Sequence, residues 1–169
     1  CPGYIVHMTC EGALNAVRDN NRHNQKVFAE TCIQYLLLDA SLYEQNFDGA
    51  KWVMSPPLRE KKDQEALWAG INQGLVQVVA TDHCPFKWEQ KLMGKDDFSK
   101  IPNGHPAIEH RVELLFSEGV RKGRITLNKF VEVLSTNPAK IFGMFPRKGC
   151  IAPGSDADIV LFDPNKEHT

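Results

Sequence analysis

The sequence has almost no net charge, no long apolar run and no paired-cysteine motif, and each absence removes a class of function. Its 20 basic and 21 acidic side chains among 169 residues leave a formal charge of -1. That balance gives no electrostatic case for nucleic acid or an anionic membrane as partner. No apolar stretch approaches the roughly 20 residues needed to span a bilayer as a helix. The five cysteines, Cys1, Cys10, Cys32, Cys84 and Cys150, are odd in number and form no CxxC pair. A reducing, intracellular setting fits them better than a disulfide framework. Glycine spacing of the Walker or Rossmann kind is missing, so Gly94, Gly104 and Gly154 read as backbone-turn residues, not a phosphate cradle. There is no internal repeat, low-complexity tract, signal peptide or initiator Met. The chain opens on Cys1-Pro2-Gly3 and breaks off at residues 164–169, which leads us to expect an internal piece of a larger protein.

What is present is an apolar strand that runs into chemistry. In Gln77-Val78-Val79-Ala80-Thr81-Asp82-His83-Cys84-Pro85 the apolar residues read as a buried parallel strand. Asp82 then falls at the strand's carboxyl end, where α/β folds build their sites. A second case opens the chain, where Tyr4-Ile5-Val6 leads to His7. Thr9 is the expected cap of a helix with Glu11 in its first turn and Ala13, Leu14 and Val17 on its apolar face. Residues 27–32 are a second strand, so strand, helix and strand follow within about 30 residues, the βαβ signature. A complete (β/α)8 barrel needs about 250 residues, more than this chain has.

Residues 34–50 are less regular, and Trp52-Val53-Met54-Ser55 is extended until Pro56-Pro57 stops it. The spacing of Ala66, Leu67, Gly70 and Ile71 predicts a helix over 61–72, with Gly74 beyond its end. Residues 76–81 are the next strand. Residues 85–107 form a long excursion from the same face as Asp82, and loops of that length commonly serve function. Residues 108–118 read as a helix carried by Val112, Leu115 and Phe116. Thr126 begins another with Phe130, Val131 and Leu134 inward, and Asn137-Pro138 starts a third that Gly143 ends. After a turn-rich stretch, Asp158-Ile159-Val160-Leu161-Phe162 reads as a strong strand with no helix behind it.

An imidazole and a carboxylate suit a borderline divalent ion, zinc above all. His7 and Asp82 stand 75 positions apart (82 - 7) and can meet only if two strand ends converge. Taken singly, His7 could equally be a core histidine and Asp82 a loop or helix cap.

Longer segments carry a resemblance. They are Tyr4-Ile5-Val6-His7, Glu30-Thr31-Cys32-Ile33-Gln34-Tyr35-Leu36, Met54-Ser55-Pro56-Pro57-Leu58-Arg59 and Val79-Ala80-Thr81-Asp82-His83-Cys84-Pro85-Phe86. Then come Gly94-Lys95-Asp96-Asp97-Phe98, Ile101-Pro102-Asn103-Gly104, Ser135-Thr136-Asn137-Pro138-Ala139-Lys140 and Pro153-Gly154-Ser155-Asp156-Ala157-Asp158-Ile159-Val160. In these the chain resembles the dihydropyrimidinase and D-hydantoinase family of cyclic amidohydrolases along essentially its whole length.

The resemblance implies an α/β fold: a partial TIM barrel of the metal-dependent hydrolase type, strands six to eight with flanking helices, over 1–148. The start of a small β-sandwich domain would occupy 149–169. It implies hydrolysis of the ring amide of dihydropyrimidines or hydantoins to N-carbamoyl amino acids. His7 would be a metal ligand at the end of strand six. Asp82 would be a ligand at the end of strand eight and the group that handles the proton of the attacking hydroxide. Ser55 and Asn103 would hold the ring through main-chain groups, and Glu30 to Cys32 would be wall rather than ligands. Two zinc ions per complete subunit, bridged by a carboxylated lysine absent from this chain, are implied, with the remaining ligands upstream of Cys1. A cytoplasmic homotetramer is implied as well, and an isolated fragment would be inactive.

Two rival readings share the fold: a non-enzymatic dihydropyrimidinase-related scaffold of cytoskeletal signalling, and an allantoinase- or dihydroorotase-like enzyme. Retention of His7 and Asp82 favours an enzyme over the scaffold. The Met54-Ser55-Pro56-Pro57 and Ile101-Pro102-Asn103-Gly104 segments favour the hydantoinase side. Among the weaker candidates, His83 should point away from the site and act structurally. His105 and His110 fit the rim, Cys32 reads as buried filler, and Cys84 has no histidine at nucleophile spacing. Arg147-Lys148 reads as a solvated turn or an inter-subunit contact.

Overall fold

The computed structural model describes residues 2–23 and 25–166. Three strands, β1 (Gly3–Ile5), β2 (Val27–Cys32) and β3 (Val78–Ala80), form a parallel sheet in the order β1-β2-β3. Gly3 pairs with Val27 and Ile5 with Ala29, whereas Val78 pairs with Glu30 and Ala80 with Cys32, so β1 lies along the first half of β2 and β3 along its second half. Helix α1 (Glu11–Arg22) connects β1 to β2, as the βαβ pattern requires. Helix α3 (Lys61–Asn72) spans the range that the apolar spacing predicts. Leu14 and Val17 of α1 and Leu67 and Ile71 of α3 are buried with Ala29 and Val79 of the sheet. Each of the Leu, Ile and Val side chains contributes about 1.5–3 kcal/mol through burial. Gly70 lets the two helices close, because a Cβ there would meet both Leu14 methyls at 3.2 Å.

The start of α1 departs from expectation. Its N-cap is Cys10, with no side-chain cap of its own. The Asp63 carboxylate does the work from α3, accepting the Glu11 N–H at 2.9 Å and the Glu60 N–H at 3.2 Å. Thr9 instead accepts a 3.4 Å bond from Arg59 Nε. Strand β3 is shorter than 76–81, because Leu75 and Val76 still donate to Gly70 O and complete the helix end, where Gly74 sits at φ 73°. Strand β1 is less buried than its apolar residues suggest. Ile5 and Val6 are 44% and 45% exposed, since only the β2 side of β1 is paired among the described residues.

A short helix, α2 (Ile33–Leu37), follows β2 directly, and two 3-10 helices, Ala40–Glu44 and Asn46–Trp52, fill the stretch read as irregular. In the long excursion lie α4 (Trp88–Lys91) and two further 3-10 turns. Helix α5 (Arg111–Leu115) runs on as a π-helix over Phe116–Arg121.

Thr126 caps α6 (Leu127–Val131) through its side chain, as expected. The rod then continues without a break through a π-helix, Glu132–Thr136, into α7 (Asn137–Ile141). Asn137 therefore starts no new helix, and its amide donates to Gln77 O at 3.1 Å instead. The wider π turn also shifts the helical phase. Val133 is buried where Val131, expected inward, is 47% exposed. Gly143 ends the rod at φ 72°. No strand forms over 158–162 among the described residues. Phe162 packs on Phe116 with ring centroids 4.7 Å apart, while no described strand offers a ladder to its neighbours.

Candidate functional site

His7 and Asp82 occupy equivalent places. Each stands two residues beyond a strand end, His7 after Ile5 and Asp82 after Ala80. Both adopt left-handed backbone, with φ 38° and 47°. That conformation costs a non-glycine residue about 1–3 kcal/mol and tends to mark functional positions. It turns the chain sharply off the carboxyl edge of the sheet at both places. β2 separates β1 from β3, and Ala80 pairs with Cys32 where Ile5 pairs with Ala29, so the two strand ends are offset both across the sheet and along it. Neither side chain makes a hydrogen bond or ion pair among the described residues.

The end of β2 and the start of α2 hold the two turns. Thr31 Oγ1 donates to Met8 O at 2.7 Å, and Met8 N–H donates to Glu30 O at 2.7 Å. On the other side Gln34 Nε2 donates to Thr81 O at 3.0 Å. The residue after His7 is thus tied to the end of β2, and the residue before Asp82 to α2, which follows it directly. From α5, Arg111 donates to Val79 O at 3.1 Å.

Beyond Asp82 the chain is knitted to the long excursion. His83 Nδ1 accepts the Ala107 and Ile108 N–H groups, both at 3.1 Å, which gives it a structural task away from the sheet edge. Cys84 N–H donates to His105 O at 3.2 Å. Gly104 N–H donates to Val53 O at 3.1 Å, which brings the Ser55 and Asn103 segments side by side. Both residues are exposed, and among the described residues no hydrogen bond engages the main chain of either. Tyr35 of α2 donates to Pro56 O at 2.8 Å and holds the Ser55 turn from below. Gly94 and Gly104 are not turn glycines in the sense expected. They are sites of close approach, where a Cβ on Gly94 would meet Ile101 Cγ1 at 2.1 Å and one on Gly104 would meet Cys84 O at 2.2 Å.

Burial, then the Glu30 and Asp82 carboxylates, push the Cys32 thiol well above its ordinary range. Cys32 is fully buried in the core at the end of β2, so it packs as a small apolar residue. Glu30 accepts a 2.7 Å hydrogen bond from the Tyr4 hydroxyl. Burial lowers the Arg111 guanidinium, with Glu30 and Cys32 acting the other way. His105 stacks on Trp52, ring centroids 6.0 Å apart, and burial, then the nearby Lys91 charge, lower its pKa. His110 lies on the surface near Glu109 and Glu113. Cys84 is exposed, and Lys148 pairs with Asp156 at 3.0 Å. An imidazole and a carboxylate on turns that leave the same edge of the sheet fit a zinc-class cation in kind. They fall short in number, since no group of three or more His, Cys, Asp or Glu side chains converges among the described residues.

Sequence reasoning missed the residues that build the site rather than form it: Thr31, Gln34, Tyr35, Arg111 and Lys91. Lys91 falls in the long excursion of residues 85–107, yet it is 3% exposed. Its place in a segment rich in lysine and aspartate hid it. The one local signal was Gln90, whose side chain accepts the Lys87 N–H at 2.8 Å and starts the short helix that turns Lys91 inward.

Comparison with known proteins gives consistent results. A family model described as the amidohydrolase family matches residues 11–169. The chain is 54% identical over 166 residues to a D-hydantoinase of Geobacillus stearothermophilus, covering 97% of this chain and 35% of that protein. It is 50% identical to a D-phenylhydantoinase of Escherichia coli, covering 98% of this chain and 36% of the relative. The crystal structure of dihydropyrimidinase from Brevibacillus agri superposes with a TM-score of 0.88 at 53% identity, over 91% of this chain and 34% of that one. The chain therefore spans about a third of the length of these relatives, and its sheet and helices are part of an α/β barrel.

Proposed function

Because the chain belongs to the amidohydrolase family, we propose that it forms the metal-bearing carboxyl-terminal part of the barrel in an enzyme that opens cyclic ureides. The observation that carries the reading is the paired geometry of His7 and Asp82, two left-handed residues at equivalent ends of parallel strands. Identity of 54% to a D-hydantoinase supports the substrate class, 5-substituted hydantoins or dihydropyrimidines such as dihydrouracil.

His7 and Asp82 supply two protein ligands, and the remaining ligands, with a carboxylated lysine, come from outside this chain. A zinc pair held by these residues would supply a polarising charge and lower the pKa of water toward neutrality. Asp82 takes a proton from the attacking water as the water oxygen adds to the ring carbonyl carbon. It then gives the proton to the departing ring nitrogen as the C–N bond breaks. Water is consumed, and the product is an N-carbamoyl amino acid. Ser55 and Asn103 offer free main-chain groups on a rigid wall, which suits a small planar ring with alternating donors and acceptors. We assign residues 1–148 to the barrel and 149–169 to the start of a β-sandwich domain. The enzyme is a cytoplasmic homotetramer in this reading.

The test is ring opening by the full-length protein that carries this chain. Release of N-carbamoyl product from dihydrouracil or a 5-substituted hydantoin, with about two zinc ions per subunit, is the expected result. A metal-loaded protein that opens neither ring would refute the reading.

A further inference from the structure

We propose that Lys91 is a positioning residue that orients and polarises the Asn103 peptide for substrate, an inference that rests on the ring-opening reading above. Lys91 closes α4 and carries its ammonium into the wall between the Ser55 and Asn103 segments. Its Nζ donates to Pro102 O at 2.6 Å, Val53 O at 2.8 Å and Gly104 O at 3.1 Å. An ammonium has three N–H donors, and all three are used. No carboxylate pairs with it among the described residues, and the Phe86 ring lies 5.5 Å away as a further soft partner. A charge this buried persists only where dipoles surround it. Here three carbonyls from two separate loops do so.

The consequence lies in the peptide planes. In a trans peptide the C=O and the following N–H point in opposite directions. The carbonyl of Pro102 shares its plane with the N–H of Asn103. With Pro102 O drawn onto Nζ, the Asn103 N–H is aimed away from the lysine, out of the wall. A hydrogen bond to the carbonyl also polarises the peptide and strengthens its N–H as a donor. Gly104 O, one peptide beyond Asn103, is held by the same ammonium, and Gly104 N–H, which shares its plane with the Asn103 carbonyl, donates to Val53 O, so the residue is held on both sides. Gly104 keeps the grip tight, because Cys84 O and the Phe86 ring fill the space of a Cβ. Val53 O is shared between Lys91 and Gly104 N–H, and this locks the Ser55 segment to the same frame.

The experiment uses the full-length enzyme with K91M, which keeps the stem and removes the charge, and K91Q, which keeps amide donors without the charge. With a 5-substituted hydantoin we expect K91M to raise KM about tenfold and to change kcat less than about threefold. Zinc content should stay at the wild-type value. Hydrogen–deuterium exchange should quicken over residues 101–106, where the Gly104 N–H is held. If K91M does not fold, K91Q is read by the same assays and should show the same split to a smaller degree. An unchanged KM, or kcat and zinc lost together with KM unmoved, would overturn the inference while wild-type turnover leaves the functional reading intact. A wild type that opens no ring overturns the functional reading, and the substrate role of Lys91 with it. Unaltered exchange over 101–106 in the variant overturns the positioning role whatever the kinetics.

Discussion

The Thr31 hydroxyl donates a 2.7 Å hydrogen bond to the main-chain carbonyl of Met8, 23 residues earlier, at a fully buried position. It is the bond that holds the turn carrying His7 against the end of β2. Thr31→Val keeps the shape and removes the donor, leaving a buried carbonyl unsatisfied. We expect a loss of about 1–2 kcal/mol in urea unfolding and weaker zinc binding in the full-length enzyme. Unchanged stability and unchanged zinc affinity together would show that the bond holds nothing of consequence.

Asp82 and His7 answer to separate measurements. In the full-length enzyme Asp82→Asn should reduce hydantoin opening by at least about a hundredfold and lower bound zinc. His7→Ala should lose metal while circular dichroism and the thermal midpoint of the metal-free protein stay as in the wild type. Normal turnover in the first variant removes Asp82 from the chemistry. Unaltered metal stoichiometry in the second returns His7 to a packing role.

Gly104 has no room for a methyl group. A Cβ would stand 2.2 Å from Cys84 O and 2.8 Å from Phe86 Cε2. Backbone on one side and a ring on the other leave no cheap relaxation, so Gly104→Ala should destabilise by more than about 2 kcal/mol. Gly12, beside which a Cβ meets nothing within 4 Å, provides the control. Gly12→Ala lies in the first turn of α1 and should hold stability or raise it by up to about 0.5–1 kcal/mol. Equal midpoints for the two variants in chemical denaturation would contradict the packing seen around Gly104.

His105 gives the fold a dependence on mild acid. Burial, then Lys91, lowers its pKa below the ordinary 6.5. The unfolded chain therefore takes up the proton before the folded one does. Stability is complete above about pH 6.5 and declines as pH falls from there toward the lowered folded value. Asp39 and Asp97 are also lowered, by hydrogen bonds from Ser41 and Ser99, but they act below 3.8 and leave the upper window to His105. The thermal midpoint should fall between pH 6.5 and 5, and His105→Gln should flatten that slope. A slope unaffected by the substitution would place the titration elsewhere.

Much of the frame could be read along the chain. The limits of β2 and α3, the helix after His7, the Thr126 cap and the Gly143 stop all follow from local pattern. Apolar period, capping hydroxyls and left-handed glycines act within one or two turns, so a short window of sequence contains their causes. The placing of His7 and Asp82 beyond strand ends was legible for the same reason, because an apolar run that ends in a polar residue marks an edge. Their left-handed backbone was not, since it is imposed by bonds from Thr31 and Gln34 across the sheet. The capping of α1 by Asp63, 52 residues away, is of the same kind. So are the inward turn of Lys91 and the exchange of Val131 for Val133 in the core. Residues 158–162 show the converse: a strong strand pattern forms no strand without a ladder partner. The sequence by itself determined which segments could be strand or helix and which side chains could do chemistry. Only the tertiary structure decided which peptide groups those side chains hold, because a hydrogen bond between distant residues depends on where the chain returns, not on what precedes it.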